Sequence, residues 1–199
     1  MRNLIQPTFA VVTTLFISTI LFMTSCKKGD VGPEGPQGPP GIVEVDTFTV
    51  TNADFNTNTV YWFLTADGSA SGYNARAYTR NNAKITKDIL DKGIVQVYFK
   101  PTGTVVSTGW QPFPISFIEN IGGSYSYNYT AVTYEGKVTL YFYYSGIKGT
   151  VAPSASSYTI PGMRIKLVVI PGKTLGAANI NSTQLANYSQ TAAILGLKD

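Results

Sequence analysis

The 199-residue chain carries one cysteine, Cys26, and no histidine. Lack of histidine removes imidazole acid–base catalysis, imidazole metal ligation and the Ser–His–Asp triad together. Carboxylates, phenols and amides remain. Glu44 and Asp46 stand two apart in "IVEVDTFTV" and share one strand face, where they serve either as a pair for glycoside hydrolysis or as two solvated charges. Asp88 and Asp91 flank the turn in "TKDILDKG", and helix capping accounts for them better than chemistry does. "ADGSASG", Ala66–Gly72, is rich in oxygen like a calcium loop, but it lacks the second and third carboxylates such loops use. Zinc has no ligands. No cofactor and no metal is expected, and an enzyme is the weakest of the function classes.

Phenols offer more. "SYSYNYTAVTYEGKVTLYFYYS" alternates on both sides of Glu135–Gly136, and a two-residue turn there sets Thr133 against Val138, Ala131 against Leu140 and Tyr129 against Phe142. That face, with Tyr125, Tyr127 and Tyr144, is expected in the core. The other face pairs Thr130 with Tyr141 and Asn128 with Tyr143, beside Tyr134, Ser126 and Thr139. A one-residue slip would interchange the faces and bury Lys137. The outward strip of Tyr141, Tyr143, Tyr134, Asn128 and Thr130 is aromatic and uncharged, which suits a sugar or a protein partner. Equally, cross-strand aromatics stabilise a sheet by themselves, or lie under a second layer or a neighbouring subunit.

The elements that hold these residues begin after an N-terminal leader. "MRNLIQPT" carries one positive charge and precedes the 15-residue apolar run Phe9–Met23, shorter than the roughly 20 residues of a spanning helix. Thr24 and Ser25 then lead to Cys26 in "MTSC", which resembles a bacterial lipobox with Met23 where leucine is commonest. Residues 1–25 are therefore expected to be a lipoprotein signal, and Cys26 the acylated mature N-terminus. An ordinary signal peptide would leave Cys26 a free thiol, a liability in an oxidising compartment. Each buried CH₂ adds about 0.8 kcal/mol, so two or three acyl chains anchor the protein without spanning the membrane.

Residues 26–41 form the expected stalk. Gly29, Gly32, Gly35, Gly38 and Gly41 frame four Gly-X-Y triplets that hold Pro33, Pro36, Pro39 and Pro40. A triple helix needs glycine at every third place because no side chain fits its axis. Four triplets are few for three chains to order unaided. Polyproline II alone would make a stiff spacer of roughly 37 Å. A homotrimer stays open because anchoring and a self-associating head raise the effective concentration of the strands.

Past Gly41 the pattern takes a period of two, and residues 42–199 read as an all-β head, an antiparallel β-sandwich of jelly-roll or Ig-like kind. Strands are expected in "IVEVDTFTV", "TVYWFLTA", "YNARAYTR", "GIVQVYFK", "SYSYNYTAVTY", "KVTLYFYYS" and "MRIKLVVI". Val95, Val97 and Phe99 face the core, as do Ile165, Leu167 and Val169, with Arg164 and Lys166 turned outward. A loose loop is expected around Asp67–Gly72, and Trp110, Pro112 and Pro114 suit an irregular edge. Thr86 and Gly93 bound one helical turn. Leu185, Tyr188, Ala192 and Leu195 recur at helical spacing before Gly196 and predict one short C-terminal helix.

Composition agrees with an extracytoplasmic β module. Charged residues are 13% and net charge is +4, or +3 once Arg2 leaves with residues 1–25. Lysines are scattered, so nucleic acid is not an expected partner. The layout of signal, lipobox, short Gly-X-Y run and Tyr-rich β domain resembles uncharacterised collagen-like lipoproteins of Bacteroidetes-type bacteria. The likeness extends through "ITKDILDKGIVQVYFK", "GWQPFP" and "MRIKLVVIPG". It implies a lipid-anchored outer-membrane protein, with the leaflet open because Lys27 and Lys28 follow the cysteine. No activity comes with the resemblance. The expected role is a non-catalytic binding or structural head for a sugar or protein, the alternative a glycan-active enzyme using Glu44 and Asp46.

Overall fold

The computed structural model describes residues 41–102, 109–118, 124–147 and 150–197. The expected signal, Cys26 and all of the Gly-X-Y run except Gly41 lie outside the described residues. The chain divides after Gln37, and the fold below belongs to the unit Gly38–Asp199.

Among the described residues nine strands form two antiparallel sheets. They are β1 Glu44–Val50, β2 Thr57–Leu64, β3 Ala70–Asn81, β4 Ile94–Pro101, β5 Gln111–Pro112, β6 Ile115–Ile118, β7 Tyr125–Tyr134, β8 Lys137–Gly146 and β9 Met163–Ile170. One sheet has the order β1-β9-β4-β5 and the other β2-β3-β8-β7-β6. First strand pairs with last and third with eighth. This nesting is closer to a jelly roll than to the strand order of an immunoglobulin domain.

Alternation builds the core between the sheets. Val97 and Phe99 of β4 and Ile165, Leu167 and Val169 of β9 meet Tyr129, Leu140 and Phe142 of β7 and β8, all buried, with Val95 partly buried beside them. The β7–β8 register is the expected one: Thr133 opposes Val138, Ala131 opposes Leu140 and Tyr129 opposes Phe142. Gly136 supplies the turn with φ +75°, a conformation glycine takes without strain. Helix α1, Lys87–Lys92, is capped by Thr86, whose side chain accepts from the Ile89 N–H, and it ends at Gly93.

Three expectations change. The Asp67–Gly72 loop is tighter than expected, since β3 starts at Ala70 and Thr65–Ser69 makes the turn. The single C-terminal helix is replaced by α2 Gly172–Ala178, α3 Ser182–Leu185 and α4 Tyr188–Leu195. Asn181 and Asn187 start α3 and α4 by accepting backbone N–H bonds, and such caps divide a helix wherever they fall. These helices cover the outer face of the four-stranded sheet, where Tyr98, Val168 and Ile170 pack with Leu185 and Tyr188. Lys166 is thus not turned to water. It is 3% exposed, donates to Tyr188 Oη at 2.7 Å and lies 4.5 Å from the Trp110 ring centroid. Among the described residues no helix is long and apolar enough to cross a membrane.

Candidate functional site

The sequence-predicted strip lies on the outer face of the five-stranded sheet, and the fold divides it. Tyr141 and Tyr143 are half-buried and Tyr134 is exposed, but Asn128 and Thr130 are buried. Asn128 is consumed internally. Its Nδ2 donates to Ser145 Oγ at 3.0 Å and Tyr143 O at 3.3 Å, and its Oδ1 accepts from Ser116 Oγ at 2.6 Å. A buried amide with its lone pairs and protons engaged stabilises three strands and offers a ligand nothing.

Tyr141 and Tyr143 have partners that a reading of β7–β8 alone leaves out. The outward residues of β3 opposite them are Ala77 and Ala75. Rings from β2 and β8 lean over these small side chains, so both alanines are buried. Tyr61 stacks on Tyr143 at 4.9 Å and 18°, Tyr73 stacks on Tyr143 at 5.0 Å and 10°, and Phe63 stacks on Tyr73 at 4.9 Å and 17°. Tyr141 lies 5.3 Å from Tyr61. Five rings from three strands make one ladder. The signal was present in sequence: "TVYWFL" and "YNARAY" carry Tyr61, Phe63 and Tyr73 two apart on alternating strands.

Tyr143 is thus stacked against two rings, Tyr61 and Tyr73. Burial, then the neighbouring phenols of Tyr134 and Tyr61, pushes Tyr141 up to about 12. Tyr143 is likewise pushed up to about 12, by burial, Tyr61 and Tyr73. The surface is uncharged at neutral pH.

The carboxylates stand elsewhere. Asp46 is on β1, and both its oxygens accept from Arg80, at 3.0 and 3.1 Å. Residues 44, 46 and 48 oppose the core-facing 169, 167 and 165, so Asp46 closes the rim of the sandwich. Asp88 and Asp91 pair with Lys92 and Lys87 along α1. Asp67 accepts from the hydroxyls of Thr65 and Ser69 and the Ser69 N–H, and the bonds, led by that from Thr65, lower its pKa to about 2. Among the described residues no group of three or more acidic or cysteine side chains could hold a metal ion.

A cleft of about 550 Å³ opens between the sheets at their other edges, lined by Phe99, Met163, Phe117, Tyr127, Tyr129 and Tyr158. Among the described residues no carboxylate lines it. The Tyr129 hydroxyl is buried without a hydrogen bond of good geometry among the described residues, and burial, with Tyr158 its next contributor, raises its pKa above the ordinary range. No protein-family model, no curated protein and no solved structure matches the chain.

Proposed function

We propose that the protein is a lipid-anchored, non-catalytic module of the bacterial envelope, whose head uses the tyrosine ladder as a contact face for protein, in the first place for further copies of itself. Acylation at Cys26 and the Gly-X-Y stalk of residues 26–41 supply the anchor and the reach. The ladder carries the reading. Tyr61, Tyr73, Tyr141, Tyr143 and Phe63 form an uncharged aromatic face on the outside of a sheet. Tyrosine buries a large area at small side-chain entropy cost and ends in a hydroxyl, which is why it is enriched in protein interfaces. A sugar ring stacks on a free aromatic face, and the central faces here are occupied by neighbouring rings. A glycan-active enzyme using Glu44 and Asp46 has less support, because Arg80 occupies both oxygens of Asp46.

Light scattering of the unlipidated protein starting at residue 26 tests the contact face. Tyr143→Asp places a charge at the centre of the ladder, and an associated wild type should fall to monomer. Tyr143→Phe keeps the ring and should leave association within a few-fold. Equal masses for wild type and Tyr143→Asp would sink the reading.

A further inference from the structure

The hairpin β2–β3 has a second face, and its chemistry differs from the ladder's. Residues 58, 60, 62 and 64 alternate away from Tyr61 and Phe63 and oppose Arg76, Asn74, Gly72 and Ala70. Farther along β3 this face turns inward, but here it is uncovered: Trp62 is 66% exposed and Leu64 76%. The indole leans over Gly72, where the first carbon of a side chain would come within 3.1 Å of Trp62 Cε3 and 2.4 Å of Val60 Cγ1. Glycine thus leaves space for the ring to lie down on the sheet. Trp62 stacks on no other ring among the described residues, so its outer face is free.

Beside this platform the surface becomes polar without becoming charged. Asn58, Asn74, Ser154 and Ser156 line a hollow of about 250 Å³, the serines coming from the 3-10 turn Ala155–Ser157 and its start. Ser154 and Ser156 share a hydrogen bond of 2.8 Å, while neither asparagine side chain has a hydrogen-bond partner among the described residues. The nearby cation is taken: Arg76 donates to Phe55 O, Asn52 Oδ1, Asn52 O and Tyr158 O at 2.8–3.0 Å. Trp62 and Asn58 lie four residues apart on one strand, about 13 Å, the length of a few linked pyranose rings.

We propose that this face is a binding site for a neutral oligosaccharide. One sugar ring lays its apolar C–H face on Trp62, and a ring two or three places along the same chain sets its hydroxyls against Asn58, Asn74 and the two serines. An exposed aromatic body beside two unengaged amides and a hydrogen-bonded pair of serine hydroxyls answers both halves of a sugar's surface. Among the described residues no charged side chain lines the hollow, which favours neutral over acidic glycans. This site goes beyond the ladder reading and uses the opposite face of the same hairpin.

Affinity electrophoresis of the full chain in detergent, through native gels holding amylopectin, laminarin, galactomannan or dextran, tests it. At least one polysaccharide should retard the protein. Trp62→Ala should weaken retardation at least ten-fold, Trp62→Phe less, and Asn58→Ala with Asn74→Ala several-fold. In a Trp110→Phe background, the binding polysaccharide should shift Trp62 fluorescence to the blue. No retardation by any of the four neutral polysaccharides, retardation unchanged by Trp62→Ala, or retardation only in a fifth gel that holds anionic alginate would overturn the proposal. Light scattering of the same variants keeps this outcome separate from the ladder's, since Trp62→Ala should leave the oligomer intact and Tyr143→Asp should leave retardation intact.

Discussion

Tyr143 and Asn128 sit opposite each other on adjacent strands, yet one is half-buried among rings and the other is closed off under them. Alternation placed both on the outer face. It could not say that Asn128 would be enclosed by Ser116 and Ser145 from strands on either side, because those contacts need the order of the sheet. The same limit hid Trp62: period two assigns it a face, but only the sheet shows that nothing covers that face. The ladder's phenols, together with the buried Tyr98 and Tyr129, carry a prediction about titration. In an unfolded chain a tyrosine ionises near 10, whereas Tyr141 and Tyr143 are held up to about 12. The unfolded state therefore releases protons first, so the ladder's contribution is complete below pH 10 and declines as pH rises toward 12. Tyrosinate absorbance at 295 nm should show a late-titrating fraction that shrinks in Tyr141→Phe. A single wave near pH 10 would contradict the buried ladder.

Among the elements, the β7–β8 hairpin was legible almost completely, since Glu135–Gly136 and the alternation around it define one register. Gly136 has open space around its α-carbon and φ +75°, so Gly136→Ala adds backbone strain and no clash. We expect a loss of about 1 kcal/mol in urea unfolding, with an unchanged slope. The C-terminal helices were less legible, being short and interrupted by asparagine caps. A signal lay in β9 all the same: "LVVI" is apolar at consecutive positions, which requires cover on both faces. Tyr98 in "VYF" says the same of β4, and its hydroxyl donates to Leu185 O at 2.6 Å. Lys166 is the residue that sequence polarity misplaces, because a lysine in a strand reads as solvent-facing. Tyr188→Phe removes an acceptor from its buried ammonium and should cost about 1.5 kcal/mol, read as a lower melting temperature. No change in melting would mean that the contact contributes nothing to the docking of α4.

At the scale of the whole molecule, an all-β sandwich was readable from strand count and spacing, but its order was not. Pairing of β1 with β9 and β3 with β8 joins residues more than fifty positions apart, and no local pattern encodes that. The closed core between two sheets leads us to expect that residues 42–199 fold alone, with a strand-dominated far-UV spectrum and one cooperative melt. A largely disordered spectrum would contradict it. The central proposal joins the ladder to the strict glycine phase of the stalk, which three chains meeting at one axis require and a spacer does not. Sedimentation equilibrium of the unlipidated protein starting at residue 26 tests that most directly. The account predicts a trimer, weakened by Gly35→Ala in the stalk and abolished by Tyr143→Asp in the ladder; a monomer at high concentration would contradict it.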